Sequence, residues 1–207
     1  MNEEIEDNSK PIGEVVLGKS YWDNRYITAN TIWDLGQISP PLKAYIDQIE
    51  DKDQRILIPG CGNTYEAKYL LQQGFTNVTV IDISPILIES LKEIFSADKN
   101  IKIVLGDFFE HRGEYDLILE QTFFCAIDPI LRPAYVTKME ALLAQNGKLV
   151  GVMFDTVFDK QGPPFGGSQE AYKPIFEKKF NLKTFAPCYN SFVKRQGTEL
   201  FVILYKR

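Results

Sequence analysis

Apolar and polar residues alternate along the chain with two different periods, and from residue 55 onward the period switches back and forth. Short apolar runs predict strands over 55–58, 77–83, 101–105, 115–120, 147–154, 182–189 and 199–205. Amphipathic helices are predicted over 64–73, 85–97, 133–144 and 169–179, and a shorter helix follows the prolines at 40–41. Strands that alternate with helices form a mostly parallel sheet covered on both faces, so the pattern predicts an α/β fold.

The two ends of the chain complete the predicted organisation. The last two strands are joined without a helix, so they are expected to be antiparallel. Residues 1–19 are polar and acidic and are predicted to form a flexible tail, whereas residues 20–50 are rich in aromatic side chains. No repeat or internal linker interrupts the rest, and 207 residues suit one sizeable domain, which is predicted over 20–207.

Composition excludes several classes of function. The 23 basic residues are outnumbered by 28 acidic ones, and the net charge of −5 disfavours a nucleic-acid partner. One histidine and three cysteines without a CxxC pair argue against a zinc site, so no metal is expected. The odd cysteine count suits a reducing compartment, and neither a signal peptide nor a membrane-spanning run is evident. We expect a cytoplasmic monomer without a membrane partner.

A glycine turn follows the first predicted strand, with Gly60 and Gly62 two positions apart. In a parallel sheet, ligands bind beyond the carboxyl ends of the strands, where glycine lets the backbone approach them closely. The signal is weak by itself, since an ordinary tight strand-to-helix turn has the same residues. A dinucleotide site would need a third glycine three residues on, and Tyr65 occupies that place, so an NAD site is disfavoured.

Three acidic residues stand at the ends of three successive predicted strands: Asp82, Asp107 and Glu120. Each one alone is explained as well by a helix N-cap or a solvated loop. Together, beside the glycine turn and Phe108, they favour a ligand with ribose hydroxyls, an adenine ring and positive charge. Carboxylates and aromatic faces stabilise a sulfonium, and phosphate-binding basic residues are lacking here, so S-adenosylmethionine is the predicted ligand.

Four motifs run in order along the chain. They are the WDNRY and TIWD strings at 22–26 and 31–34, IPGCG at 58–62, FFCAIDP with RPA at 123–129 and 132–134, and GPPF at 162–165. Together they resemble the thiopurine S-methyltransferase superfamily, and within it the halide/thiol methyltransferase branch, over residues 20–180. The resemblance implies a Rossmann-like class I methyltransferase fold, with a seven-stranded, mostly parallel sheet, an antiparallel last strand and helices on both faces.

Carried over position by position, the resemblance implies a role for each motif. It places an N-terminal lid within 20–50 over the cofactor, formed by Trp22, Tyr26 and Trp33. It places Gly60 and Gly62 at the methionine moiety, and Glu120 with Gln121 as positioning residues near the sulfonium. It also places Asp82 at the ribose, and Asp107 and Phe108 at the adenine. Tyr26 stands where many relatives have a second tryptophan. Gln121 stands where the thiopurine branch has an arginine implicated in catalysis, which disfavours a thiopurine substrate.

The acceptor pocket is predicted to be apolar and poor in water, built by the side chains of Phe123, Phe124, Pro163, Pro164 and Phe165. Methyl transfer from a sulfonium is an in-line displacement, which depends chiefly on alignment. A thiol, with a pKa of about 8.5, needs no strong base, and the one histidine, His111, falls in a predicted solvated loop.

The prediction is therefore methyl transfer to a small soft nucleophile, which is a thiol, hydrosulfide, thiocyanate or a halide. Two alternatives remain open from the sequence. In the first, the protein is a thiopurine or other aryl-thiol S-methyltransferase. In the second, it binds S-adenosylmethionine without turnover.

Overall fold

A seven-stranded sheet forms the centre of the computed structural model, which describes residues 17–159 and 161–207. The strands are β1 (Ile56–Pro59), β2 (Val78–Asp82), β3 (Ile101–Leu105), β4 (Tyr115–Gln121), β5 (Leu143–Phe154), β6 (Phe180–Pro187) and β7 (Glu199–Lys206). The helices of this described part are α1 (Lys19–Ile27), α2 (Pro40–Ile46), α3 (Tyr65–Gln72), α4 (Pro85–Ile94), α5 (Arg132–Leu142) and α6 (Gln169–Phe176). Most of the predicted tail, residues 1–16, lies outside the described residues.

The strand order is β3-β2-β1-β4-β5-β7-β6, in which β1 to β5 run parallel and β7 is antiparallel to both of its neighbours. This topology confirms the predicted α/β class, the seven-stranded Rossmann-like class I methyltransferase sheet and its antiparallel last strand. The strand order reverses between β1 and β4. At such a switch point the connections diverge and leave a crevice at the carboxyl ends of the strands.

Helices cover both faces of the sheet because the strand side chains point alternately to either side. Ile56 and Ile58 of β1 belong to a core shared with α2, α3 and α4, whereas Leu57 belongs to a second core shared with α5 and α6. All three side chains are almost completely buried. The short apolar runs of the sequence are therefore strands buried on two faces.

The start of α4 follows its sequence signal, whereas the end of α5 differs from the prediction. Ser84 caps α4 as expected, since its Oγ accepts a hydrogen bond of 3.3 Å from the amide of Leu87. The helix predicted over 133–144 instead ends at Leu142, because Leu143 already pairs with Tyr115 of β4 and starts β5. No helix in the described residues is both long and apolar enough to span a bilayer.

Candidate functional site

A cavity of about 560 Å³ lies at the carboxyl ends of β1 to β4, in the crevice of the switch point. It brings together side chains from the glycine turn, three strand ends and the segment around α1. Of the residues predicted for the site, the wall contains Trp22, Tyr26, Trp33, Gly60, Gly62, Asp82, Asp107, Phe108, Gln121, Phe123, Pro163 and Pro164. Glu120, Phe124 and Phe165 do not belong to this wall.

The glycine turn is shaped so that its backbone forms part of the wall. Gly60 and Gly62 have φ angles of +54° and +52°, in the left-handed region that favours glycine. A Cβ atom on Gly60 would lie 2.1 Å from the Phe123 ring, so any side chain here would displace that ring. A Cβ on Gly62 would lie 3.7 Å from the Tyr26 hydroxyl and 3.9 Å from the Trp33 Nε1. The two glycines therefore let aromatic side chains from distant segments close over the turn.

Asp82 is a buried carboxylate held at the end of β2. One oxygen accepts a 3.0 Å hydrogen bond from the Ser84 amide, and the other accepts a long one of 3.4 Å from the Gly62 amide. Burial raises the pKa of this carboxyl, and the amide hydrogen bonds oppose that shift. The carboxylate is thus oriented by the backbone, with capacity left to accept further hydrogen bonds from a ligand in the cavity.

Asp107 and Phe108 follow β3 on the neighbouring part of the wall. Asp107 caps the short 3-10 turn Phe108–Glu110, and its Oδ1 accepts a 2.8 Å hydrogen bond from the amide of Phe109. The Phe108 ring lies 5.1 Å from the Phe123 ring in an edge-to-face arrangement. A carboxylate therefore stands beside aromatic rings, which suits a flat nitrogen heterocycle.

The three aromatic residues of the predicted lid touch one another at the mouth of the cavity. The Trp33 ring centroid lies 5.6 Å from that of Trp22 and 5.9 Å from that of Tyr26, both edge to face. Helix α1, which bears Trp22 and Tyr26, is attached to α4 because Asp23 accepts a 2.6 Å hydrogen bond from the Ser84 hydroxyl. The pKa of Tyr26 is raised chiefly by burial and to a smaller extent by the charge of Asp82, so its hydroxyl stays protonated.

Arg195 binds the lid through the backbone of Trp33. The sequence did not predict this residue. Its Nη2 donates a 2.7 Å hydrogen bond to the carbonyl of Trp33, and its Nη1 forms a buried ion pair of 3.3 Å with Glu199. The guanidinium also lies 5.1 Å from the centroid of the Phe154 ring. Since 162 residues separate Arg195 from Trp33, no local pattern could have linked them.

Glu120, predicted as a positioning residue, lies outside the cavity wall. The side chain is fully buried behind the wall and accepts hydrogen bonds from the amides of Phe123 at 2.7 Å and Phe124 at 2.9 Å, and from the Tyr135 hydroxyl at 2.5 Å. Successive residues of a strand point to opposite faces, so the neighbouring Gln121 faces the cavity. Burial raises the pKa of Glu120 to about 7.

Two of the predicted acceptor residues also lie outside the cavity wall. Phe124 is 1% exposed and packs against Tyr135, Tyr172 and Phe176 in the core. Phe165 pairs through its backbone amide with the carbonyl of Cys125 at 2.7 Å. The predicted apolar wall is therefore formed by Phe123, Pro163 and Pro164 alone among the five.

The loop that carries the two prolines is held by Arg132. Its Nη2 donates hydrogen bonds to the carbonyls of Gly166 at 3.0 Å and Phe165 at 3.3 Å. The guanidinium lies 4.8 Å from the centroid of Phe124 and 5.1 Å from that of Tyr172. The RPA motif of the sequence thus serves to connect α5 with the Pro163–Pro164 segment.

Nucleophilic and basic side chains near the cavity are few. Cys61 and Cys125 belong to the wall, but burial raises the pKa of both thiols, so they stay protonated. His111 lies away from the wall, stacked on Tyr115 with a 2.8 Å contact between Nε2 and the hydroxyl. The described ranges contain no group of three or more His, Cys, Asp or Glu side chains placed to hold a metal ion.

The wall fits a ligand that carries hydroxyls and positive charge. Among the described residues, five carboxylates belong to it: Asp34, Glu66, Asp82, Asp107 and Asp128. Buried polar atoms without a hydrogen-bond partner also belong to wall residues, at Thr64 Oγ1, Gln121 Oε1 and Arg25 Nε. Such orphaned atoms are costly in a folded protein unless a ligand or water satisfies them. With the glycine turn and the aromatic lid, they match the groups of S-adenosylmethionine.

Comparison with known proteins gives consistent findings. A model of the thiopurine S-methyltransferase family matches residues 17–202. The chain is 32% identical over 159 residues to the probable thiol methyltransferase 2 of Arabidopsis thaliana, which spans 74% of this chain and 70% of that protein. It is 29% identical over 160 residues to the thiocyanate methyltransferase 1 of Brassica oleracea, with 74% of this chain and 70% of that protein covered.

A solved structure is similar in fold. It is a 1,6-didemethyltoxoflavin-N1-methyltransferase of Burkholderia thailandensis, with bound 1,6-didemethyltoxoflavin and S-adenosylhomocysteine. The two chains superpose with a TM-score of 0.72 at 17% identity, over 91% of this chain and 86% of the other. At this identity the likeness concerns the fold of the sheet and helices alone.

Proposed function

Because the chain belongs to the thiopurine S-methyltransferase family and is an S-adenosylmethionine-dependent methyltransferase, we propose that it methylates a small soft nucleophile: a thiol, hydrosulfide, thiocyanate or a halide. The observation that carries the proposal is the character of the wall at Phe123, Pro163 and Pro164. This part of the wall is apolar, and no histidine stands among the described residues of the whole cavity wall. The names of the thiol and thiocyanate methyltransferases among its relatives support the same acceptor class.

We infer how the chain holds its cofactor from the geometry of the wall. Asp82 accepts hydrogen bonds from the ribose hydroxyls, and Asp107 with Phe108 takes the adenine. Gly60 and Gly62 leave room for the methionine moiety, and Gln121 lies near its sulfur. Trp22, Tyr26 and Trp33 close over the bound molecule. When bound, S-adenosylmethionine supplies an electrophilic methyl group on a sulfonium.

The protein contributes alignment and exclusion of water. An in-line displacement needs the nucleophile placed opposite the leaving sulfur, and holding the reactants in that geometry supplies much of the acceleration. Phe123, Pro163 and Pro164 give the acceptor an apolar surface, and removing the water shell of a small anion raises its reactivity. A thiolate or thiocyanate arrives charged, so protonated Cys61 and Cys125 and a distant His111 do not hinder the reaction.

The experiment is an acceptor panel. Purified protein is incubated with S-adenosylmethionine and, separately, with iodide, hydrosulfide, thiocyanate, a small alkyl thiol, an aryl thiol and a thiopurine. Methylated products are measured by headspace gas chromatography and mass spectrometry. Turnover of the small acceptors is expected to exceed that of the aryl acceptors.

The other outcomes decide against the proposal. Turnover of aryl thiols or thiopurine alone would establish the larger-acceptor alternative. Tight binding of S-adenosylhomocysteine without product from any acceptor would indicate a protein that holds the cofactor without turnover. Phe123→Leu, which removes the ring next to the glycine turn, is expected to change the order of preference among the acceptors. Phe109→Leu, at a wall phenylalanine that follows β3, is the matched control and should leave that order unchanged.

We also propose that the protein is a monomer that acts in the cytoplasm, with no nucleic-acid partner and with residues 20–207 as the catalytic domain. The excess of acidic residues supports the absence of a nucleic-acid partner. Light scattering of the purified protein tests the monomer, and a mass of twice 23.7 kDa would contradict it.

A further inference from the structure

Arg25 is a cavity residue to which the sequence assigned no role. It lies on α1 between Trp22 and Tyr26, and all three side chains belong to the wall. Residues three and four apart share one face of a helix, so α1 presents a cation together with two aromatic rings. The Arg25 guanidinium lies 5.2 Å from the centroid of Trp33 and 5.9 Å from that of Tyr21.

The half-buried Arg25 guanidinium lacks the partners that the buried Arg132 and Arg195 have. Arg132 donates to two carbonyls, and Arg195 donates to the Trp33 carbonyl and pairs with Glu199. Within residues 17–159 and 161–207, the Arg25 guanidinium makes no hydrogen bond or ion pair with another side chain or carbonyl, and its Nε is buried. Buried polar atoms are normally satisfied, so the unpartnered Nε and the free guanidinium donors of Arg25 have the capacity to bind an acceptor that enters the cavity.

The charges of the wall indicate which acceptor that is. Five carboxylates and one cation, Arg25, are the charged side chains among its described residues. S-adenosylmethionine carries positive charge on its sulfonium and its ammonium, and negative charge on one carboxylate. The five carboxylates suit the positive groups, and Arg25 is the one cationic side chain among the described wall residues that suits the negative group.

Arg25 lies on the side of the cavity that is proposed to hold the methionine end of the ligand. Its guanidinium stacks on Trp33, whose Nε1 would lie 3.9 Å from a Cβ on Gly62. Gly62 belongs to the turn proposed to face the methionine moiety. The aromatic face orients the planar guanidinium, which then offers two parallel N–H donors to a carboxylate.

We propose that Arg25 binds the α-carboxylate of the methionine moiety of S-adenosylmethionine and S-adenosylhomocysteine. The inference rests on the proposed cofactor site. It makes Arg25 the residue by which the cavity distinguishes a cofactor with an intact amino acid from an adenosine thioether without one. The lid helix thereby recognises the ligand by charge as well as covering it.

The test compares two ligands by isothermal titration calorimetry. S-adenosylhomocysteine has the amino acid, whereas 5′-methylthioadenosine has the same adenosine and thioether without it. Arg25→Met is expected to weaken S-adenosylhomocysteine about tenfold or more, as charge-assisted hydrogen bonds are lost, while 5′-methylthioadenosine changes less than about twofold. Arg25→Lys should recover part of the loss. Lys19→Met removes the same charge from an exposed position of α1 and should change neither affinity.

Each other result overturns the inference. Unchanged affinity of Arg25→Met for S-adenosylhomocysteine would show that the carboxylate lies elsewhere, and equal losses for both ligands would mean that Arg25 only supports the lid. A rise confined to the KM of an anionic acceptor would assign Arg25 to that acceptor instead. Wild-type protein that binds neither ligand would overturn the cofactor site itself, which separates that failure from failure of the Arg25 assignment alone.

Discussion

At the scale of single residues, the cavity depends on a close contact that only glycine permits. Gly60 combines a φ of +54° with a Cβ position only 2.1 Å from the Phe123 ring. Gly74, after α3, has a φ of +85° but no atom within 4 Å of its Cβ position. Both glycines satisfy the same backbone requirement, and only Gly60 also leaves room for a ring of the acceptor wall.

Gly60→Ala is therefore expected to lose more stability than Gly74→Ala. Each variant bears the cost of a left-handed alanine, of the order of 1 kcal/mol. Gly60→Ala also forces Phe123 to move, which adds about 1–3 kcal/mol by analogy with overpacked cores. Urea denaturation of both variants measures the difference. Equal losses would show that Phe123 adapts freely to the added methyl group.

Glu120 is a second residue whose environment has a measurable consequence. Its carboxyl has an ordinary pKa of 4.5, and burial raises that pKa to about 7 in the folded protein. Between these values the folded state holds a proton that the unfolded chain has released. Folding stability contributed by this group is therefore present at low pH and falls as the pH rises from about 4.5 to 7.

Glu120→Gln should remove this pH dependence. A glutamine oxygen still accepts from the amides of Phe123 and Phe124, and its amide group donates to Tyr135, so the turn keeps its hydrogen bonds. Relative to wild type, the variant is expected to gain on the order of 3 kcal/mol between pH 5 and pH 8. Urea denaturation across this range measures the change. A constant difference between the two proteins would contradict the assignment of the proton to Glu120.

At the scale of elements, the lid is a segment fastened at three separate points. Asp23 of α1 accepts from the Ser84 hydroxyl, Asp34 accepts from Tyr65 at 3.2 Å, and the Trp33 carbonyl accepts from Arg195. These partners belong to α4, α3 and the turn before β7. The lid therefore depends on helices and strands that are distant in sequence, and Arg195 is its connection to the antiparallel edge of the sheet.

Arg195→Met is expected to loosen the lid as well as the fold. Loss of the cation leaves the buried Glu199 carboxylate without a countercharge, which costs about 3–5 kcal/mol, and frees the Trp33 carbonyl. Both tryptophans of the chain are lid residues, so intrinsic fluorescence reports on the lid directly. We expect a red shift and weaker S-adenosylhomocysteine binding, with partial recovery in Arg195→Lys.

Glu199→Gln is the control for this prediction. It removes the ion pair but leaves the Arg195 hydrogen bond to Trp33, so stability should fall while the fluorescence spectrum stays near that of the wild type. A red shift of similar size in both variants would mean that Arg195 supports the fold without positioning Trp33.

At the scale of the whole molecule, the topology places the chemistry. The strand order reverses between β1 and β4. Every wall segment that follows a strand leaves the sheet at the carboxyl ends of the strands, where this reversal opens the crevice. The net charge of −5 includes the five described carboxylates of the cavity, so a part of the acid excess is concentrated in the cavity proposed to hold the cationic cofactor. The topology of the sheet thus brings acidic residues together in one cavity, which favours a positively charged ligand there.

The sequence by itself determined the elements and twelve residues of the cavity wall. Apolar runs of four to eight residues, bounded by glycine, proline and capping residues, form strands and helices through local interactions, so β3 begins and ends where the pattern predicted. Strand ends must meet at one edge of a parallel sheet, which is why Asp82 and Asp107 were found together with Gly60 and Gly62.

Only the tertiary structure decided which of two neighbouring residues faces the cavity and what holds the lid. Glu120 and Gln121 are adjacent, as are Phe123 and Phe124, and the direction of each side chain follows from the strand face and the turn geometry. Arg195 and Trp33 are brought together across 162 residues by the order of the strands. Periodicity describes local conformation, whereas such contacts arise only when the complete sheet sets the relative position of its edges.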